Sequence, residues 1–126
     1  MIYIFDHDED IRFILCNWLE QHGYKTKGFA TSGHLLAHFK FGMPDCIILD
    51  SVYGGLTATR NICNVIQNIL HYKGKILLST TGILSKEEWQ ECNAIDFIPK
   101  PFDLWEVLDT VNKLFDRSLK EKASVD

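Results

Sequence analysis

Four consecutive residues, Cys46-Ile47-Ile48-Leu49, are apolar at every position and stand between Asp45 and Asp50. A strand with one face in water alternates apolar and polar side chains. An unbroken apolar run bounded by turn-type residues belongs instead to a strand covered on both faces. Such strands occur in parallel sheets with helices on both sides, so the rest of the chain has to supply the helices.

It does so with a regular alternation. Ile2–Phe5 is a short apolar run of strand type. Ile11, Ile14, Leu15, Trp18 and Leu19 follow at helical spacing and end near Gly23. Thr26–Phe29 reads as a weaker strand, with Lys25 and Lys27 at alternate positions, a pattern suited to an exposed sheet edge. Leu35, Leu36 and Phe39 mark a short helix closed by Gly42-Met43-Pro44. After the apolar third strand, Ile62, Val65, Ile66, Ile69 and Leu70 repeat the helical spacing, and residues 76–79 form a fourth strand. Ser85 and Glu88 make an S-x-x-E capping box ahead of a short helix around Trp89. Residues 97–99 form a fifth strand whose Pro99 suits an edge. Asp103 can cap a last helix with the stripe Leu104, Val107, Leu108, Val111, Leu114 and Phe115.

The expectation is an α/β fold: a single doubly wound (βα)5 domain with a five-stranded parallel sheet ordered 2-1-3-4-5, of the flavodoxin-like kind. That order puts both weak strands at the edges. With 126 residues there is room for one domain, expected over 1–117, followed by a polar tail over 118–126. The longest purely apolar run, Met1 to Phe5, has five residues, far too few to cross a bilayer, and no signal-type segment precedes it. A cytoplasmic location and no membrane partner are therefore expected. Lys and Arg number 13 against 17 Asp and Glu and are dispersed, which argues against direct nucleic-acid binding. The four cysteines, Cys16, Cys46, Cys63 and Cys92, lie far apart and read as small buried hydrophobes.

In this sheet order all strands end along one rim, and polar residues occupy four of those ends: Asp6, Asp50, Thr80 and Lys100. Strands one, three, four and five are neighbours spaced by about 4.8 Å. Asp6 and Asp50 fall on adjacent strands where the strand order reverses, the place where open α/β sheets bind ligands. Two nearby carboxylates suit a hard divalent cation such as Mg²⁺. A cation and a lysine beside Asp50 would stabilise charge on a phosphoryl group transferred to it.

The segments Ile4-Phe5-Asp6-His7-Asp8-Glu9-Asp10-Ile11-Arg12, Pro44-Asp45-Cys46-Ile47-Ile48-Leu49-Asp50, Leu77-Leu78-Ser79-Thr80-Thr81 and Phe97-Ile98-Pro99-Lys100-Pro101-Phe102 together resemble the receiver domain of bacterial response regulators, including the chemotaxis (CheY-like) type. The resemblance runs from Met1 to about Phe115. It implies that Asp50 is the phospho-acceptor, taking its group from a sensor histidine kinase or a histidine phosphotransfer protein, and that the chain is otherwise no enzyme. It further implies that Asp6, Asp50 and the backbone carbonyl of Val52 hold Mg²⁺. Thr80 would bond the phosphoryl oxygen, Lys100 would pair with it, and Phe97 would be the switch aromatic. A cis peptide before Pro101 would aim the lysine into the cleft. Output would be a docking event on the fourth helix, fifth strand and fifth helix.

Two departures from the family pattern stand out. The second acid of the usual pair, a direct metal ligand, is His7 here. Imidazole suits zinc, copper or nickel better than Mg²⁺, so Mg²⁺ is expected to bind more weakly than is usual for the family. His7 as a metal ligand and His7 as a solvated loop residue both stay open on the sequence. After Asp50, Tyr53-Gly54 replaces the family's Met-Pro, and the apolar Val52 offers nothing to orient an attacking water, so a long-lived phospho-form is expected. These departures keep an alternative alive: a degenerate, unphosphorylated receiver acting as a protein-interaction module. A flavin protein on the same topology is disfavoured by the acidic run Asp6-His7-Asp8-Glu9-Asp10, which would repel the flavin phosphate. His34 and His38, at i, i+4, read as an exposed helix face. Trp105 falls off the last helix's stripe, as an interface anchor or as cover for a neighbouring helix.

Overall fold

The computed structural model describes residues 1–51, 55–81 and 86–116. Five parallel strands, β1 (Ile2–Phe5), β2 (Thr26–Phe29), β3 (Cys46–Asp50), β4 (Lys75–Thr80) and β5 (Asp96–Pro99), form one sheet in the order β2-β1-β3-β4-β5. Five helices connect and cover them: α1 (Glu9–Gln21), α2 (Ser32–His38), α3 (Gly55–Asn64), α4 (Lys86–Glu91) and α5 (Leu104–Leu114). This is the doubly wound architecture expected from the apolar third strand. All of β3 is buried, and Lys27 of β2 and Pro99 of β5 lie exposed on the two edge strands.

Because side chains alternate along a strand, the sheet divides the core in two. Tyr3, Phe5, Ile47, Leu49, Ile76 and Leu78 point to one face and pack with Leu35, Cys63, Ile66 and Cys92. Ile2, Ile4, Cys46, Ile48 and Leu77 point to the other and pack with Leu15 and Leu19 of α1 and Val107, Leu108 and Val111 of α5. Tyr24 joins the second cluster and ties it to α5 through its hydroxyl, 2.5 Å from Asn112 Oδ1.

Local capping sets where the helices start. Asp8 accepts from Asp10 N and Ile11 N to open α1, Thr31 from His34 N to open α2, and Asp103 from Trp105 N and Glu106 N to open α5. Ser85, the first half of the proposed capping box, and the tail over 118–126 lie outside the described residues.

Several periodicity readings need correction. Helix α2 ends at His38 and continues as a 3-10 turn over Phe39–Phe41. After Asn64, α3 widens into a π turn over Val65–Ile69, closed by Leu70 N to Val65 O at 3.0 Å. The wider turn shifts the facing of the residues that follow, so Ile66 is buried while Ile69, expected on the same stripe, is exposed. Ile14 is also exposed, because α1 buries the Leu15–Leu19 line and leaves Ile14 on its flank. Trp105 packs edge-to-face on Trp18 of α1, with ring centroids 5.0 Å apart, and remains 58% exposed. His38 is half-buried among the rings of Tyr3, Phe29 and Phe41, unlike the exposed His34.

The four cysteines are free thiols; Cys46, Cys63 and Cys92 are buried and Cys16 is partly so. Burial pushes the Cys46 thiol up to about 12. An aromatic disulfide reagent should therefore titrate at most one thiol rapidly in the native protein and all four in denaturant. Fast reaction of two or more native thiols would contradict this packing. Gly74 is required by a close approach: a Cβ there would collide with the ring and hydroxyl of Tyr72, a buried residue of the first cluster. Gly74→Ala should destabilise the protein by about 1–3 kcal/mol in denaturant unfolding. An unchanged midpoint would show that Tyr72 can move aside.

Candidate functional site at the carboxyl edge of the sheet

The register carries the polar rim residues to one place. Phe5 pairs with Leu49, Asp50 with Ser79, and Thr80 with Pro99. Asp6 therefore follows the last paired residue of β1 and lies beside Asp50 at the end of β3. Lys100 follows β5, and its amide donates to Thr80 O at 2.6 Å. Ser51 keeps the end of β3 fixed to β4: both its amide and its hydroxyl donate to Ser79 O at 2.8 Å.

Asp6 and Asp50 are each 1% exposed. Buried carboxylates need partners, and these have two in common. The Lys100 ammonium lies 2.8 Å from Asp6 Oδ2 and 3.3 Å from Asp50 Oδ1, so a single cation bridges two strand ends. On the other side, His7 Nδ1 lies 2.7 Å from Asp50 Oδ2 and 3.7 Å from Asp6 Oδ1. Asp6 Oδ1 also accepts from Asp8 N at 2.9 Å, and Arg12 Nη1 donates to the Asp6 carbonyl at 2.7 Å. Each acid thus turns one oxygen to the lysine and the other toward the imidazole. The Lys100–Pro101 peptide is cis.

Thr80 is buried at the end of β4, next to β3. Phe97 is half-buried and packs against the first core cluster. Val52, the expected carbonyl ligand, and Tyr53-Gly54 lie outside the described residues. The sequence reading missed Asp8, Arg12 and Ser51 as supports of the two acids. The helix-cap position of Asp8 was the available signal for the first. Arg12 acts on a backbone carbonyl, which no residue pattern announces.

One donor atom from each of Asp6, His7 and Asp50 lies within 4.8 Å of the others. Two carboxylates are a donor set that Mg²⁺ accepts, with water completing its octahedron. The imidazole nitrogen is not, since nitrogen donors favour later transition ions. The acids fit Mg²⁺ and His7 does not. Chemically, the pocket offers a buried carboxylate nucleophile, a fixed ammonium and a place for a divalent cation, the parts that phosphoryl transfer to an aspartate needs.

Among the described residues no helix is long and apolar enough to cross a membrane. No curated protein sequence matches the chain. Solved structures do. A chemotaxis protein CheY4 of Vibrio cholerae, crystallised at low pH, superposes with a TM-score of 0.72 at 25% identity over 90% of this chain and 96% of that one. A two-component response regulator from Clostridium difficile gives 0.79 at 21% identity, covering 92% and 95% of the two chains. The receiver domain of NtrX from Brucella abortus gives 0.76 at 21% identity, covering 94% and 100%. The profile of the response regulator receiver domain matches residues 2–112, spanning all five strands and the pocket they build, and the chain therefore belongs to that family.

Proposed function

We propose that this receiver is a phospho-accepting switch of a cytoplasmic two-component phosphorelay. Asp50 takes a phosphoryl group from a phosphohistidine of a sensor histidine kinase or a histidine phosphotransfer protein. The single observation that carries this reading is the position of Asp50: a buried carboxylate at the end of the central strand, held between Lys100 and His7 and beside Asp6.

In the transfer, a carboxylate oxygen of Asp50 attacks phosphorus while the P–N bond to the donor imidazole breaks. The bonding pair stays on that ring, and an acyl phosphate forms on Asp50. Charge on the phosphoryl oxygens is met by the Lys100 ammonium, already within 3.3 Å of the nucleophile. The Thr80 hydroxyl, at the neighbouring strand end, supplies a donor to a phosphoryl oxygen. Asp6 and Asp50 would hold a divalent cation, which neutralises further charge when bound. Thr80 and Phe97 relay the change to the surface of α4, β5 and α5, where a downstream protein docks. The chain acts on no separate substrate, and neither nucleic acid nor membrane is a direct partner.

Incubation with acetyl phosphate, with and without a divalent cation, followed by intact mass measurement tests this. The expected result is one phosphoryl group per chain, abolished by Asp50→Asn and kept by the control Asp45→Asn, whose carboxylate is exposed and pairs with the N-terminus. Absence of incorporation from acetyl phosphate and from a phosphorylated kinase would replace this reading by that of an unphosphorylated interaction module. Incorporation that survives Asp50→Asn would place the acceptor elsewhere.

A further inference from the structure

We infer that Asp6, His7 and Asp50 form a mixed imidazole–carboxylate site that selects a borderline divalent transition ion, of the nickel, cobalt and zinc class, over magnesium. The inference rests on reading this pocket as the functional site, and it changes the identity of the metal that the pocket takes.

The geometry supports it from three sides. His7 is partly exposed, yet its Nδ1 faces both acids, at 2.7 Å from Asp50 Oδ2 and 3.7 Å from Asp6 Oδ1. Donor atoms bound to one ion at about 2.0–2.2 Å stand roughly 3 Å apart, so small shifts bring the two acid oxygens and Nδ1 around a common centre. The other oxygen of each acid faces Lys100, so Asp6 Oδ1, Asp50 Oδ2 and His7 Nδ1 face one another on the side away from the ammonium. Asp6 Oδ1 is oriented by the Asp8 amide, the kind of support that fixes a ligand's direction. Access is available as well, since the His7 side chain is 43% exposed while both acids are buried.

The donor count points the same way. An imidazole stands where the family pattern has a carboxylate, so the pocket has one acidic oxygen-donor group fewer to offer a cation. A hard, strongly hydrated ion such as Mg²⁺ depends on charge and oxygen donors and loses on both counts. A nitrogen-seeking ion gains a ligand for which Mg²⁺ has little use.

Nearly every nitrogen- or oxygen-donor site holds nickel more tightly than magnesium, so absolute affinity decides nothing. The readout is how the ratio changes with residue seven. Titration calorimetry with Ni²⁺ and with Mg²⁺, without any phosphodonor, is run on the wild type, His7→Asp and His7→Gln. A second measurement follows the visible band of bound Co²⁺, whose position separates nitrogen and oxygen ligands from thiolate. His34→Gln controls for surface imidazole.

One Ni²⁺ per chain is expected. Both His7 variants should weaken Ni²⁺ by at least about tenfold, the loss that even an outer ligand partner produces. His7→Asp alone should strengthen Mg²⁺, and His34→Gln should change neither ion. A Ni²⁺-to-Mg²⁺ ratio that stays within twofold in His7→Asp would overturn the proposal. So would Ni²⁺ binding that His34→Gln removes, or a Co²⁺ band of thiolate type. Because no phosphodonor is present, failure here leaves phosphorylation of Asp50 standing, and failure of phosphorylation leaves the metal result readable.

Discussion

The Lys100 ammonium is the interaction on which the site depends. Parallel strand order places Asp6 and Asp50 side by side and buried at the rim, where two carboxylates repel each other and are poorly solvated. Lys100 reaches both from β5, two strands beyond Asp50. Removing one partner from a buried ion pair costs about 3–5 kcal/mol, because a charge is left uncompensated. For the proposed phosphoryl transfer the same arrangement would be preorganised: the nucleophile Asp50, a fixed positive charge and a second acid already stand together, so little reorganisation would be left for the reaction.

The sheet makes that assembly possible at a distance from the packing. Alternation along β1, β3 and β4 sends one set of side chains into the cluster with α1 and α5 and the other into the cluster with α2 and α3. Both cores are apolar and closed, and the polar residues are left to the strand ends. Asp6 and Asp50 lie immediately beyond buried Phe5 and Leu49, which are paired in register. A one-residue slip of β1 against β3 would move Asp6 off Asp50, so core packing and site geometry constrain each other.

Most of the fold was legible in the sequence because it is written in long-period signals. The apolar β3 run announces burial on both faces, and Lys27 and Pro99 announce edges. The rim residues were legible by the same route, since strand order and strand ends together put Asp6, Asp50 and Lys100 in one cleft. What stayed hidden depends on geometry that residue types do not encode. The π turn at Val65–Ile69 arises from one extra residue per turn, and it moved Ile69 to the surface against the expected stripe. Trp105 leans on Trp18, and His38 inserts among aromatic rings, through side-chain rotations that spacing alone leaves free. His7 is the sharpest case. Its position marks it as a replacement for an acid, but only the structure shows its ring turned onto Asp50.

Denaturant unfolding of the wild type, Lys100→Met, Asp50→Asn and the double variant, combined as a thermodynamic cycle, tests the central contact most directly. Lys100→Met is predicted to cost at least about 1 kcal/mol more in the wild-type background than in Asp50→Asn, the coupling expected of residues in direct contact. Costs that add to within about 0.5 kcal/mol would mean that the lysine and the aspartate do not share a pocket in solution, and the account would be wrong at its centre.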